Sequence, residues 1–152
     1  MSSAERRASA PVTVQRALGL AARRHGARVA VRHGDATLTF AELDRRAAAI
    51  AQGLVAAGLV RGDRVAVMLP NCTDYITIAM ACAQGALCMV PINYRYTGTE
   101  LRRQIDDCGA KVLLFDTRFD RQGEQAGLPG TGRTIRRGEE LEALAARASA
   151  AW

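Results

Sequence analysis

Three short apolar segments, separated by stretches with helical periodicity, most constrain how this chain can fold. They are Val65–Leu69, CMVPI at residues 88–92 and KVLLFD at residues 111–116. Strands that are apolar on both faces, and that alternate with helices of roughly 10 to 15 residues, are typical of a parallel sheet covered on both sides. The sequence therefore predicts an α/β fold with a doubly wound, mainly parallel sheet and helices on both of its faces.

Two further elements are predicted before this sheet. Apolar residues recur at helical spacing from Val14 until Gly26, which indicates a first helix. The stretch RVAVRHGDATLTF, residues 28–40, alternates in polarity on either side of Gly34-Asp35. This alternation around a turn dipeptide predicts a β-hairpin near the N-terminus.

Capping signals mark where the later helices begin. The pattern T-x-x-E occurs at residues 39–42 and 97–100. In this capping box the hydroxyl and the carboxylate each accept a hydrogen bond from a backbone N–H that has no partner within the helix. Asn71 and Asp74 are expected to cap the helix after the first apolar strand, and Gly85 is expected to permit its tight exit.

Composition and element order together predict four segments. Hydrophobic residues make up 49% of the chain and charged residues 24%, as in an ordinary globular domain. We expect a disordered lead-in at residues 1–12, an α/β subdomain at 13–116, a polar Gly/Pro connector at 117–138 and a terminal helix at 139–152.

The stretch GLPGTGRT, residues 127–134, approaches the nucleotide-binding pattern G-x-x-x-x-G-K-[ST]. It has the full length of this pattern and departs from it at one residue, with Arg133 in place of the lysine. Such a loop encloses phosphate only when a strand enters it and a helix leaves it. No strand is predicted before Gly127, and Gly138 interrupts any helix that begins at Thr134. We therefore interpret the stretch as an exposed connector.

Few side chains suit catalysis or metal binding. The four serines lie in the terminal stretches, and the two histidines lie at a helix end and beside the hairpin turn, so no catalytic triad can be assembled. The four cysteines form no C-x-x-C pair, and three of them lie in apolar runs. We expect no zinc site, and we interpret the cysteines as reduced thiols of a cytoplasmic protein.

The net charge of +6 raises the question of a nucleic-acid partner. The arginine pairs are scattered along the chain and few aromatic residues accompany them, so we expect no nucleic-acid partner. The apolar stretch at residues 75–92 is interrupted by Gln84, Gly85 and Pro91, which argues against a transmembrane segment.

Several short motifs between residues 37 and 116 occur in an order found in one enzyme superfamily. They are the T-F-x-E-L helix start, the turn into a strand at Gly58–Ala66, Pro70-Asn71, Gly85-Ala86, Val90-Pro91-Ile92-Asn93, Glu100-Leu101 and Gly109-Ala110-Lys111. In these motifs the chain resembles the N-terminal subdomain of acyl-CoA synthetases of the adenylate-forming, or AMP-binding, superfamily. The matching motifs are structural: caps, turns and a helix-to-strand exit.

For a complete relative, the resemblance implies a two-step reaction. A carboxylate attacks the α-phosphate of ATP to give acyl-AMP and pyrophosphate, and the thiol of CoA then displaces AMP. Mg²⁺ stabilises the charge on phosphate. The family's phosphate loop ending in Pro-Lys-Gly, its Tyr-Gly-x-Thr-Glu segment, its ribose-binding aspartate and its C-terminal lysine are not found in this sequence.

Two partial matches to these catalytic motifs are rejected. YTGTE, residues 96–100, has Thr97 where the family motif has glycine, and it lies at the start of the wrong helix. Lys111 begins a strand of the N-terminal subdomain and does not match the catalytic lysine. No catalytic, cofactor-binding or metal-binding residue is therefore assigned in this chain.

Two functional hypotheses remain open. In the first, the chain is the amino-terminal part of an acyl-CoA ligase, truncated before the ATP phosphate loop or completed by a second polypeptide, and inactive alone. Its partner is then the missing remainder, and a fatty acid is the default substrate. In the second, the chain is a non-catalytic binding or regulatory module. A fragment would expose apolar sheet surface and self-associate, whereas a module would be monodisperse and melt cooperatively.

Overall fold

The computed structural model describes residues 13–128, 130 and 132–149, and it has the predicted α/β architecture. An antiparallel hairpin consists of β1 (Val29–His33) and β2 (Ala36–Thr39). The larger sheet has four parallel strands in the spatial order β4-β3-β5-β6, namely β3 (Arg64–Met68), β4 (Cys88–Pro91), β5 (Val112–Phe115) and β6 (Arg133–Arg136).

Six α-helices accompany these strands in the described part of the chain. They are α1 (Val14–His25), α2 (Phe40–Ala56), α3 (Thr73–Gln84), α4 (Gly98–Cys108), α5 (Asp120–Ala126) and α6 (Glu139–Ser149). The predicted lead-in, residues 1–12, lies outside the described residues, as do the last three residues of the predicted terminal helix.

Side chains of the two central strands point alternately to opposite faces of the sheet, and both sets are buried. Val65 and Val67 of β3 belong to one apolar cluster, which α1, α2, α3 and α6 cover. Met68 of β3 and Phe115 of β5 belong to a second cluster, which α4 and α5 cover. Because each face has its own layer of helices, the sheet is doubly wound, as the sequence predicted.

Both predicted capping boxes are confirmed. At the start of α2 the Thr39 hydroxyl accepts from the backbone N–H of Glu42 at 3.2 Å, and the Glu42 carboxylate accepts from the backbone N–H of Thr39 at 2.8 Å. Thr97 and Glu100 repeat this exchange at the start of α4. At its other end α4 stops at Gly109, whose φ of 59° lies in the left-handed region.

The predicted cap of α3 is wrong. Its N-cap is Cys72, whose side chain makes no capping hydrogen bond, rather than Asn71 or Asp74. The carboxylate of Asp74 instead accepts hydrogen bonds from the guanidinium groups of Arg46 and Arg137. Long-range ion pairing has therefore taken the side chain that sequence reasoning assigned to the helix end.

The helix α3 ends with Gly85 as its C-cap, as predicted, but its exit does not use a left-handed glycine. Gly85 has a φ of −78°, and the left-handed conformation falls on Ala86, with a φ of 54°. A non-glycine residue in the left-handed region raises the free energy of the folded state, and two backbone hydrogen bonds at this turn offset the increase. The carbonyl of Ala86 accepts from the N–H of Gly62 at 2.9 Å, and the N–H of Leu87 donates to the backbone carbonyl of Cys82 at 2.8 Å.

Residues 117–138 are not the polar connector that the sequence predicted. They contain a 3₁₀ turn at Thr117–Phe119, the helix α5 and the strand β6. Gly123 lets α5 lie close to the sheet, because a Cβ at this position would be 2.8 Å from the Phe115 ring. Ile135 is the one fully buried residue of β6. A four-residue strand with one buried side chain leaves little apolar periodicity to detect.

The close packing of α2 on α6 yields a first prediction. A Cβ added at Gly53 would lie 2.3 Å from the carbonyl oxygen of Leu144, a backbone atom that cannot rotate away as a side chain can. We expect Gly53→Ala to lower the free energy of unfolding by roughly 1 to 3 kcal/mol, the usual cost of overpacking. Urea unfolding monitored by circular dichroism measures this loss.

Gly19→Ala is the matched control for this prediction. Gly19 also lies within a helix, but its added Cβ would meet the mobile guanidinium of Arg23, at 3.6 Å. Helix propensity predicts that this variant is unchanged or more stable by up to about 1 kcal/mol. Equal unfolding free energies for the two variants would contradict the close approach of α2 and α6.

Candidate functional site

The order in which strands are added to the parallel sheet reverses at its centre, between β3 and β5. The helix α3 connects β3 to β4 on one face, whereas α5 connects β5 to β6 on the other. The loops that leave the adjacent strands β3 and β5 therefore diverge, and they open a crevice at the carboxyl ends of these strands. Open α/β sheets bind ligands in this position.

A cleft of about 430 Å³ lies at these carboxyl ends. Its walls come from α3, from the segments directly after β5 and β6, and from α6. The polar residues of its lining are Asp74, Asp116, Thr117, Arg118, Arg137 and Glu142. Five of these six side chains are charged, so their charges decide what the cleft can do.

Arg137 joins the two aspartates of the cleft. Its Nε donates to Asp74 Oδ2 at 2.6 Å, and its Nη1 donates to Asp116 Oδ2 at 3.1 Å. Its backbone N–H donates to the carbonyl of Phe115 at 2.8 Å, which fixes it at the end of β6. The hydrogen bond to Asp74, and after it the one to Asp116, raises the pKa of Arg137.

Arg46 extends this network to two more helices. Its Nη2 donates to Asp74 Oδ1 at 3.1 Å, which ties α2 to α3. The same guanidinium pairs with Glu142 of α6. Through these contacts Asp74 binds two arginines at once, and α2, α3, α6 and the end of β6 are held together by ion pairs.

Asp116 is the most enclosed acid of the cleft, with a side chain that is 6% exposed. It follows β5 directly and accepts from the Arg118 backbone N–H at 3.1 Å and from Arg118 Nε at 2.8 Å. The hydrogen bond from the Arg118 side chain, with further ones from its backbone and from Arg137, lowers the pKa of Asp116 to about 2. These bonds outweigh burial, which acts in the opposite direction.

The charges of this network cancel. Its three guanidinium groups and three carboxylates belong to Arg46, Arg118, Arg137, Asp74, Asp116 and Glu142. Asp116, whose pKa is near 2, stays ionised at neutral pH and is a poor general acid or base there. What the network does is fix the ends of β5 and β6 against α2, α3 and α6.

The glycine-rich stretch at residues 127–134 has the wrong surroundings for a phosphate loop. The helix α5 precedes it, and β6 begins at Arg133. The order is therefore helix, loop and strand, the reverse of the strand, loop and helix that such a site needs. The strand after the stretch was not predicted, and its presence strengthens the case against triphosphate binding there.

The two rejected catalytic matches have structural roles. Thr97 of the YTGTE stretch caps α4. Lys111 Nζ lies 2.8 Å from Asp63 Oδ1, and these residues precede β5 and β3, at the end of the sheet opposite the cleft. Lys111 is thus remote from the carboxyl ends of the strands.

Among residues 13–128, 130 and 132–149, no three His, Cys, Asp or Glu side chains are grouped so that they could hold a metal ion. All four cysteines are free, and burial, with Cys88 as a second cause, raises the pKa of Cys82 to about 12. No helix in the described part of the chain is long and apolar enough to cross a bilayer.

Sequence reasoning did not identify the cleft network. Asp116 carried one usable signal, because it is an acid directly after an apolar strand, where α/β sheets place polar groups. The long-range pairs of the network carried no such signal. Asp74 and Arg137 are 63 residues apart, and Arg46 and Glu142 are 96 residues apart, so no local pattern connects them.

The depressed pKa of Asp116 predicts how stability depends on pH. A carboxyl whose pKa falls from 3.8 to about 2 on folding stabilises the protein above pH 4, and this contribution is lost as the pH falls towards 2. We expect Asp116→Asn to lower the free energy of unfolding by roughly 2 kcal/mol at pH 7. The difference from the unsubstituted chain should shrink below pH 4, as measured by urea unfolding at a series of pH values.

Asp106→Asn is the control, because Asp106 forms an exposed i,i+4 ion pair with Arg102 on the surface of α4. Exposed pairs of this kind contribute at most about 1 kcal/mol, so a small effect is expected. A loss for Asp116→Asn that is no larger than the control, or that stays constant down to pH 3, would show that the cleft network does not stabilise the fold.

The sequence of this chain matches that of one enzyme family. The profile of the AMP-binding enzyme family matches residues 19–150. A feruloyl-CoA synthase from Amycolatopsis sp is 48% identical over 85 residues, which cover 56% of this chain and 17% of that protein. A mitochondrial medium-chain acyl-CoA ligase from Homo sapiens is 35% identical over 92 residues, which cover 60% of this chain and 15% of that protein. The matched stretch thus spans about one sixth of these relatives.

Solved structures have the same fold. A benzoate CoA ligase from Burkholderia xenovorans superposes with a TM-score of 0.83 at 14% identity, over 90% of this chain and 28% of that chain. An O-succinylbenzoate Coenzyme A synthetase from Bacillus subtilis, in complex with AMP, gives 0.70 at 27% identity, over 85% of this chain and 32% of that chain. With the family profile matching most of its length, this chain belongs to the AMP-binding enzyme family.

Proposed function

We propose that this chain is the amino-terminal part of an ATP-dependent acyl-CoA ligase. The complete enzyme would adenylate a carboxylic acid and then transfer the acyl group to the thiol of CoA. The observation that carries this proposal is the family match over residues 19–150, together with relatives named as CoA synthases and ligases. Because the matched stretch spans only about one sixth of those relatives, the activity belongs to the larger protein.

In this proposal, residues 13–149 supply a scaffold and the chemistry comes from the rest of the enzyme. The carboxylates that line the described cleft are bound to arginines, which leaves them poor ligands for Mg²⁺. The glycine-rich stretch has the wrong order for a phosphate loop. These residues therefore do not fit ATP or Mg²⁺, and we assign ATP, Mg²⁺ and CoA to other segments of the ligase.

The partner of the chain is, on this proposal, the remainder of the ligase. Two features support such a partner. The strands β4 and β6 form the two edges of the described sheet. Each has exposed residues, namely Cys88 and Pro91 in β4 and Arg133 and Thr134 in β6. Without the remainder, these edges offer surface for self-association.

The free cysteines support a cytoplasmic location.

The acyl group is proposed only at the level of a carboxylic acid. Relatives of the chain are named for a feruloyl group and for medium-chain acyl groups. A fatty acid is the default within this range, and an aromatic acid such as ferulate is supported by the relative with 48% identity.

A second candidate is a stand-alone, non-catalytic module. The observation in its favour is that both faces of the sheet are covered by helices of this chain itself. Such a unit has two apolar cores of its own and could fold without the rest of the enzyme. Both candidates agree that the isolated chain does not catalyse adenylation.

ATP-pyrophosphate exchange tests the absence of adenylation by the isolated chain. We expect no exchange above a heat-killed control with ferulate, benzoate or medium-chain fatty acids, because the described residues offer no phosphate loop and no Mg²⁺ site. The feruloyl-CoA synthase of Amycolatopsis sp serves as the positive control with ferulate. Exchange by the isolated chain with any of these acids would contradict both candidates.

A further inference from the structure

The net charge of the chain is concentrated at its N-terminal end. Residues 1–35 contain seven arginines and two acidic residues, which gives +5 of the total of +6. The rest of the chain contains 14 basic and 13 acidic residues and is almost neutral. A charge asymmetry of this size between two parts of one chain indicates an anionic partner for the charged part.

Four of these arginines define a surface that we name the N-terminal basic face: Arg16, Arg23 and Arg24 of α1, and Arg28 directly after it. All four are exposed. None forms an ion pair with a carboxylate in the part of the chain that the structure describes. By contrast, Arg46, Arg102 and Arg136 each meet an acidic side chain within 3.2 Å.

The arginines of α1 occupy the exposed part of the helix. Arg16 and Arg23 are seven residues apart and therefore lie on the same side of the helix. Leu18, about half a turn away, is the buried residue of α1 and packs into the core. Arg16 thus lies on the side of α1 away from the core, whereas the Arg23 guanidinium lies over Gly19, with Nη1 3.6 Å from where a Cβ of that residue would be. Neither guanidinium forms an ion pair with a carboxylate of the described residues.

We propose that the N-terminal basic face binds the anionic phosphate groups of a lipid surface. Guanidinium groups bind phosphate oxygens in a bidentate manner and are weakly hydrated, which suits them to lipid headgroups. The exposed side chains of Val14 and Val29, which are 63% and 49% exposed, are apolar groups near these arginines in the sequence. They can enter the headgroup region, as apolar side chains do at bilayer interfaces.

The same features disfavour a nucleic-acid partner. Residues 13–39 contain no Phe, Tyr or Trp, so the only rings on which a base could stack are the imidazoles of His25 and His33. The apolar side of α1 is already packed on the core, so the helix does not insert into the bilayer. Binding therefore depends mainly on charge, and it is weak, reversible and sensitive to salt.

Flotation of the full chain with vesicles tests this proposal. The vesicles contain phosphatidylcholine alone, or phosphatidylcholine with phosphatidylglycerol at about a third of the lipid. We expect binding to the anionic vesicles only, and loss of binding at about 0.5 M salt. Each arginine contributes about a factor of five in affinity, so the triple variant R16Q/R23Q/R24Q should bind roughly 100-fold more weakly.

The matched control is the triple variant R95Q/R103Q/R121Q. Its three arginines are also exposed and outside the ion pairs of the described residues, and its net charge changes by the same amount. We expect it to bind anionic vesicles like the unsubstituted chain. Thermal unfolding of both variants checks that the fold is intact.

Three results would overturn the proposal. Binding to neutral vesicles would show that anionic headgroups are not recognised. Equal losses for the two triple variants would show that overall charge, and not this face, is responsible. Tighter binding to duplex DNA than to anionic vesicles, lost in R16Q/R23Q/R24Q, would assign the face to a nucleic acid instead. The readout is binding, so none of these results depends on the ligase proposal.

Discussion

Burial of β3 and β5 on both faces is the constraint on which the rest of the structure depends. Val65, Val67, Met68, Leu113 and Leu114 are essentially inaccessible to solvent, and they point to opposite faces in turn. A strand of this kind is stable only when a layer of helices covers each face. The crossovers α3 and α5 therefore take opposite faces, and the crevice at the carboxyl ends of β3 and β5 follows from that arrangement.

The charged side chains in this crevice serve the architecture. Asp74 and Asp116 each bind two arginines, and the resulting network is neutral and joins segments from α2 to α6. Ion pairs that are this enclosed lose much when one partner is removed, because the other charge is left without compensation. This part of the AMP-binding fold thus positions loops at the end of the sheet where α/β folds bind ligands. The proposed ligase chemistry is assigned to other segments of the enzyme.

Sequence reasoning succeeded where the signal is local. The capping boxes at Thr39 and Thr97 and the apolar strands β3 and β5 were predicted because neighbouring residues carry their patterns. It failed at residues 117–138, where β6 has one buried residue and depends on pairing with β5. It also missed the cleft network, since residues far apart in the sequence are brought together only in the folded chain. Long-range contacts, and not composition, decide these features.

The most direct test is a chimera in which the 85 matched residues of this chain replace their counterparts in the Amycolatopsis feruloyl-CoA synthase. Formation of feruloyl-CoA from ferulate, ATP and CoA is then measured. If these residues are the scaffold of an acyl-CoA ligase, the chimera should form feruloyl-CoA, and the synthase without the segment should not. A folded, monodisperse chimera that forms neither feruloyl-AMP nor feruloyl-CoA would contradict the claim that this chain is part of such a ligase.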